Sequence, residues 1–144
     1  MQDVITYEQP LNERMRNFLR LEHLFGLIKF RTDDPSKWDC REILEALLEI
    51  NDLLSRSDLK TDLIKELERH ASMLRALDNN PAVDQRRLVE VNERVSELLT
   101  TLRNNSYQPG LRLREDELVC SFKQRISIPG GTCNFDLPRF HFWL

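Results

Sequence analysis

The residue types that most often carry catalysis or bind metals are few and widely spaced in this sequence. They are three histidines and three cysteines: His23, His70, His141, Cys40, Cys120 and Cys133. Only Cys133 and His141 are near each other, and a zinc site needs more than these two ligands. A Cys–His nucleophilic pair would also need a third residue to orient the histidine, and the sequence indicates none.

The glycine pair Gly130-Gly131 is consistent with either a phosphate-binding loop or a sharp turn. A phosphate-binding loop ends in Gly-Lys-Ser/Thr and connects a strand to a helix. The segment Pro129–Thr132 has no lysine, and the residues before it have a helical pattern. We therefore interpret it as a sharp turn with a positive φ angle.

The acidic residues lie on the polar faces of amphipathic segments, where they form pairs one helical turn apart, as Glu66 and Arg69 do. No two carboxylates are isolated in an apolar setting, as acid–base catalysis would require. We expect a protein that is not an enzyme and that has no metal and no cofactor. An enzyme that uses Cys133 or His141 is an alternative, for which the sequence suggests no substrate.

The remaining chemistry is recognition by basic residues. Arg56 and Lys60 flank the predicted corner between the second and third helices, and Arg16 and Arg20 lie one turn apart on the first helix. Guanidinium groups pair with carboxylates, so such residues beside an apolar groove suit an acidic or mixed-charge peptide. Arg56 and Lys60 are the preferred partner-binding residues because a corner projects from a bundle. Arg16 and Arg20 are the alternative pair.

The composition is that of an ordinary globular domain. The chain has 144 residues, of which 40% are apolar and 31% charged, and its formal net charge is −3. This charge provides no general attraction to nucleic acid or to an anionic membrane, so we expect neither as a partner. No apolar run approaches the ~18 residues of a membrane span. The odd, scattered cysteines and the lack of a signal peptide favour free thiols in the cytoplasm.

Hydrophobic periodicity predicts a mainly α-helical bundle of about five helices, over residues 12–30, 36–56, 57–77, 81–103 and 114–126. Another helix should begin at Pro138. Asn12 is the expected N-cap of the first helix, and Ser36 with Asp39 resembles a capping box at the second. The apolar residues of the first helix cover more than one stripe, which predicts a central helix.

The fourth predicted helix has apolar residues in a 3-4-3-4 spacing: Leu88, Val91, Val95, Leu98 and Leu102. This spacing is typical of a coiled coil, but it continues for only about two heptads, whereas a stable coiled coil needs about three or four. We favour packing within the chain. Dimerisation through this seam is the alternative.

A short β-favouring run, Val4–Tyr7, precedes the helices, and no neighbouring segment could pair with it. The sequence closes on residues 137–144, which contain three aromatic side chains and begin like a helix. We therefore expect residues 1–9 to be a strand of a β domain that is otherwise absent. Residues 10–144 would form an α-helical domain that is truncated at its C-terminal end.

Four collinear blocks of the sequence resemble the ZapD family of bacterial cell-division proteins. The first is Tyr7-Glu8-Gln9-Pro10-Leu11-Asn12-Glu13-Arg14-Met15-Arg16, continued through residues 18–22. The second is Lys60-Thr61-Asp62-Leu63-Ile64-Lys65-Glu66-Leu67. The third comprises residues 114–116 and Gln124-Arg125-Ile126-Ser127-Ile128-Pro129-Gly130-Gly131-Thr132-Cys133-Asn134-Phe135-Asp136-Leu137-Pro138, and the fourth is residues 141–144.

The resemblance implies a helical domain, a β domain and a homodimer. It also implies that the protein binds the C-terminal tail of FtsZ, the tubulin-like division protein, and cross-links FtsZ filaments into bundles. Its location would be the cytoplasm at mid-cell, at the division ring. The alternative function is a generic helical dimerisation scaffold without a role in division.

Overall fold

The structure is a computed structural model that describes residues 7–33 and 36–144. The helices in these ranges are α1 (Glu13–Arg31), α2 (Lys37–Leu54), α3 (Ser57–Arg75), α4 (Gln85–Arg103), α5 (Leu111–Glu115), α6 (Glu117–Arg125) and α7 (Pro138–Trp143). The described ranges contain no strand, so the mainly α-helical prediction is confirmed. The predicted strand lies largely outside the described residues, and residues 7–9 have irregular backbone. Neither that strand nor a β domain is supported.

Two of the predicted helix starts are confirmed in atomic detail. The Asn12 side chain accepts a hydrogen bond of 2.8 Å from the Met15 amide, which caps α1. At α2, the Ser36 amide donates to the Asp39 carboxylate at 2.9 Å, and the Asp39 amide donates back to the Ser36 hydroxyl at 3.2 Å. These reciprocal bonds satisfy backbone donors that a helix start leaves unpaired.

Two other predicted helices differ from those in the structure because aspartates cap helices inside them. Asp84 accepts from the Arg86 and Arg87 amides at 3.0 and 3.3 Å, so α4 begins at Gln85 rather than at Pro81. Asp116 accepts from the Val119 amide at 3.0 Å and starts α6. The predicted helix over 114–126 is therefore two helices, α5 and α6.

The chain divides into two compact units, of which the first comprises Met1–Leu53 and Arg112–Leu144. Its core includes a cluster of five buried side chains from α2, α6 and the start of α7: Leu44, Leu48, Phe122, Leu137 and Phe140. The Phe122 and Phe140 rings meet edge to face, with centroids 5.2 Å apart. This cluster fixes the end of the chain against α2.

The expectation that α1 is a central helix is wrong for the described part of the chain. Only Asn17, Leu21 and Leu24 of α1 are buried. These residues form one narrow stripe, since they are spaced by four and three positions. The other apolar side chains include Met15 and Phe25, which are 44% and 54% exposed.

The second unit, Leu54–Leu111, is a hairpin of α3 and α4. The two helices pack against each other, with Leu59 and Ala71 of α3 and Leu88 and Leu99 of α4 buried. Arg103, the last residue of α4, forms an ion pair with Glu68. Each helix of the hairpin thus buries one apolar stripe against the other.

Candidate partner-binding site

Arg16 and Arg20 lie on α1, in the first unit, and share one acidic neighbour. The Arg16 guanidinium is 2.9 Å from the Glu13 carboxylate, and that of Arg20 is 3.7 Å from the same group. Arg20 also donates to the side chain of Asn17 at 3.4 Å. Both arginines are exposed, but a partner's carboxylate would have to compete with Glu13.

Lys60 lies in the second unit, where its ammonium group donates to two backbone carbonyls just after α4. The distances are 3.3 Å to Asn104 O and 3.1 Å to Tyr107 O. Asn104 is the C-cap residue of α4, and a lysine ammonium beside a helix C-terminus interacts favourably with the negative end of the helix dipole. The structure therefore gives Lys60 a structural role, and its role in partner binding stays a prediction.

Arg56 immediately precedes α3 and is exposed. It forms no ion pair or side-chain hydrogen bond with another residue of the described ranges. Its guanidinium is thus available to a partner's carboxylate. Of the four predicted residues, Arg56 and Lys60 belong to the second unit, and Arg16 and Arg20 belong to the first.

The first unit also contains a pocket of about 390 Å³ that the sequence analysis did not predict. The start of α2, the Gly130–Asn134 turn and α7 form its walls: Lys37, Trp38, Arg41, Gly130, Thr132, Cys133, Asn134, Phe140, His141 and Leu144. Its size is in the range of about 300–1,000 Å³ that is typical of ligand sites. None of the described residues that line it is an aspartate or a glutamate.

The glycine-containing turn that borders this pocket has a fixed shape. Gly130 has a φ angle of +70°, as the sequence predicted for a sharp turn. A Cβ atom at position 131 would lie 2.5 Å from the Arg125 carbonyl oxygen and 2.8 Å from the Ile128 Cβ. Only glycine fits there without displacing backbone atoms.

Thr132 follows these glycines and connects the turn to α2. Its side-chain oxygen accepts a hydrogen bond of 3.0 Å from Arg41, across 91 positions of sequence. Arg41 also contacts Glu45 one helical turn away, at 2.8 Å. The Arg41 side chain is therefore held at the pocket wall by two partners.

Acidic residues of the first two turns of α2 contact the end of α1. The Arg31 guanidinium lies 2.8 Å from Asp39 and 2.9 Å from Glu42. The pKa of Asp39 is lowered, chiefly by the hydrogen bond from the Ser36 hydroxyl and also by the Arg31 charge. Asp39 is thus held as a carboxylate that caps α2.

The described residues show no arrangement that would support metal-dependent chemistry. Within them, no three His, Cys, Asp or Glu side chains are close enough to hold a metal ion. Cys40, Cys120 and Cys133 are free thiols. In the same part of the chain, no helix is both long and apolar enough to cross a membrane.

These features define a helical protein whose candidate functional groups are surface arginines, a lysine and a basic–aromatic pocket. The ZapD family model, described as a cell division protein, matches residues 19–144. The chain is 45% identical over 141 residues to the cell division protein ZapD of Nitrosomonas eutropha, covering 98% of this chain and 56% of that protein. The ZapD of Methylococcus capsulatus is 44% identical over 144 residues, covering 100% of this chain and 56% of that protein.

The ZapD of Klebsiella pneumoniae is 39% identical over 144 residues, which is 100% of this chain and 58% of that protein. The chain belongs to the ZapD family of cell division proteins, as the four blocks of sequence indicated. It spans a little over half the length of the relatives it matches.

Proposed function

We propose that this chain acts in cell division by binding the C-terminal tail of FtsZ and cross-linking FtsZ filaments at the division ring. The observation that carries the proposal is the family match over residues 19–144, together with relatives named as cell division proteins. The role is one of binding rather than catalysis, in the cytoplasm at mid-cell, and it needs neither nucleic acid nor membrane.

Arg56 is the side chain that this proposal places first in tail recognition. It is exposed and has no ion-pair partner in the described ranges, so a carboxylate could pair with it without breaking an existing contact. Lys60 would contribute positive charge near Arg56 while it holds the end of α4. Arg16 and Arg20 form the alternative site. On binding, they would break their ion pairs with Glu13 and pair with a carboxylate of the tail.

Cross-linking requires at least two tail-binding sites in one particle, which a homodimer supplies. The surface of α4 offers a suitable apolar strip. Val91 and Leu98 lie two turns apart on one face of α4 and are 39% and 47% exposed, whereas Leu88 and Leu99 are buried. The same strip supports the second candidate function, a helical dimerisation scaffold without a role in division.

The test is the affinity for a fluorescent peptide of the FtsZ C-terminal tail, measured by anisotropy at low and moderate salt. We expect Arg56→Glu to weaken binding by about tenfold at low salt, because it replaces attraction by repulsion. The matched control is Arg87→Glu, which reverses an exposed charge in the first turn of α4 in the same unit. It should bind like the unmodified chain.

Equal binding by Arg56→Glu and Arg87→Glu would remove Arg56 from the site. The same titration with Arg16→Glu and Arg20→Glu would then test the alternative pair. A tail peptide that does not bind the unmodified chain at either salt concentration would exclude tail recognition by this chain and favour the scaffold function.

A further inference from the structure

The pocket between the start of α2 and the Gly130–Asn134 turn has a charge unlike that of the whole chain. The net charge of the chain is −3, yet the described residues that line the pocket include Lys37, Arg41 and His141 and no acidic side chain. A concave wall with one sign of charge concentrates its field on a ligand. The ligand should therefore carry negative charge.

Two cationic groups of the pocket have free hydrogen-bonding capacity. The Lys37 side chain is exposed and forms no ion pair or hydrogen bond with another described residue. Arg41 uses Nε for Glu45 and Nη1 for Thr132, so its Nη2 is left without a partner in the described ranges. A carboxylate offers oxygens to both groups.

The apolar part of the pocket indicates that the ligand is larger than a simple anion. Trp38 is 79% exposed at the rim, while Phe140 is only 3% exposed and belongs to the core cluster. An exposed indole beside a concave surface is typical of sites where proteins bind peptides. The volume of about 390 Å³ has room for an apolar side chain as well as a carboxylate.

The turn and the Arg41 side of the pocket are held in place before any ligand binds. Gly131 allows the turn to approach Arg125 and Ile128 closely, and Thr132 ties that turn to Arg41. Pre-organised groups lose less conformational entropy on binding than mobile ones. The glycine pair therefore shapes one wall of the pocket, in addition to reversing the chain direction.

We propose that this pocket binds an acidic peptide segment, whose carboxylate pairs with Lys37 and Arg41 and whose apolar side chain packs against Trp38. This inference rests on the proposed function, under which the segment belongs to the FtsZ tail. The pocket is then a tail contact in addition to Arg56, or in place of it.

The experiment measures the anisotropy of the labelled FtsZ tail peptide with two single variants, Lys37→Glu and Trp38→Ala. Both side chains are exposed, so both variants should keep the circular dichroism spectrum of the unmodified chain. We expect each to weaken binding by about tenfold, with only the Lys37→Glu effect decreasing as salt is raised. Matched controls in the same unit are Lys29→Glu and Phe142→Ala, which alter exposed residues outside the pocket.

A second probe separates this inference from the proposed function. It is a short acidic peptide with one phenylalanine and no similarity to FtsZ. If the tail binds all variants equally, the pocket proposal is overturned while the proposed function stands. If the tail does not bind at all, but the second peptide binds the unmodified chain and not Lys37→Glu, the proposed function fails and the pocket stands. If neither peptide binds, both fail.

The oligomeric mass of the variants tests the other possible occupant, a second copy of the chain. Light scattering should give the same mass for Lys37→Glu, Trp38→Ala and the unmodified chain. A mass that falls in both variants would assign the pocket to the dimer interface and would overturn its assignment to a peptide.

Discussion

Asp39 stabilises the first turn of α2 through three contacts that all favour its ionised form. It accepts hydrogen bonds from the amide and hydroxyl of Ser36, and it pairs with Arg31 at the end of α1. Its pKa is therefore lowered. A lowered pKa means that the stabilisation is complete above the ordinary value of about 4 and is lost as the pH falls through the folded-state value.

We expect Asp39→Ala to lower the melting temperature at about pH 7, and the difference should become smaller as the pH falls below the ordinary carboxyl value of about 4 and through the lowered pKa of Asp39. Thermal unfolding followed by circular dichroism across this pH range measures it. Glu49→Ala is the control, because Glu49 is exposed on the same helix and has no partner among the described residues. A difference of the same size at both ends of this range would contradict the role of the carboxylate charge.

The two adjacent glycines should respond differently to the same added methyl group. At Gly131 the group would collide with the Arg125 carbonyl and Ile128, whereas at Gly130 nothing lies within 4 Å and only the positive φ opposes it. We expect Gly131→Ala to lower the free energy of unfolding by about 2–3 kcal/mol. Gly130→Ala should lower it by about 1 kcal/mol. Urea titrations that gave the reverse order would show that the turn is shaped differently.

Sequence reasoning succeeded best for residues whose partners are near in sequence. Asn12 bonds three residues ahead, and Ser36 and Asp39 bond each other, so the residue types alone indicated both helix starts. Arg41 and Thr132 are 91 positions apart, and nothing in the local pattern pairs them. The pocket that they border was therefore not predictable, although an exposed Trp38 beside Lys37 at a helix start was a usable signal.

At the scale of helices, hydrophobic periodicity found the helical segments, but it did not find where two of the helices begin. Side-chain caps set those starts. Pro81 suits a first helical turn, yet the Asn80 side chain accepts from the Ala82 amide at 2.9 Å and forms a turn there. Asp84 then provides the cap three residues later. Asp116 likewise ends one helix region and begins another, because its side chain binds the Val119 amide.

The second unit depends on Lys60, since its ammonium group links the start of α3 to the residues after α4. We expect Lys60→Met to lower the free energy of unfolding by about 1 kcal/mol, because two carbonyl groups lose a charged donor. Lys65→Met should change it by less than about 0.5 kcal/mol, since Lys65 is exposed on the same helix without a described partner. Urea unfolding compares the two, and equal losses would contradict the structural role of Lys60.

At the scale of the whole molecule, the proposed homodimer is the feature that turns binding into cross-linking. We expect Leu98→Asp to reduce the mass measured by light scattering from that of a dimer to that of a monomer, because it places a charge in the proposed apolar strip. Val89→Asp is the control, since Val89 is 54% exposed and lies on the opposite face of α4. A chain that remains a dimer with Leu98→Asp would exclude this strip as the interface.

The helical class and the family could both be predicted from sequence, since the hydrophobic periodicity extends over most of the chain and the collinear blocks are spread along nearly its whole length. The sites could not, because charge-bearing residues of a helical surface resemble one another in sequence. Lys60 and Arg56 are equivalent in the sequence pattern. In the structure, Lys60 donates to two backbone carbonyls, whereas Arg56 forms no ion pair within the described residues.

Co-sedimentation of this chain with polymerised FtsZ, and with FtsZ filaments that lack the C-terminal tail, tests whether the chain recognises that tail. We expect the chain to pellet with the complete filaments, less so as salt is raised, and not to pellet with the tail-less ones. Pelleting that is equal with both kinds of filament, or absent with both, would contradict tail recognition by this chain.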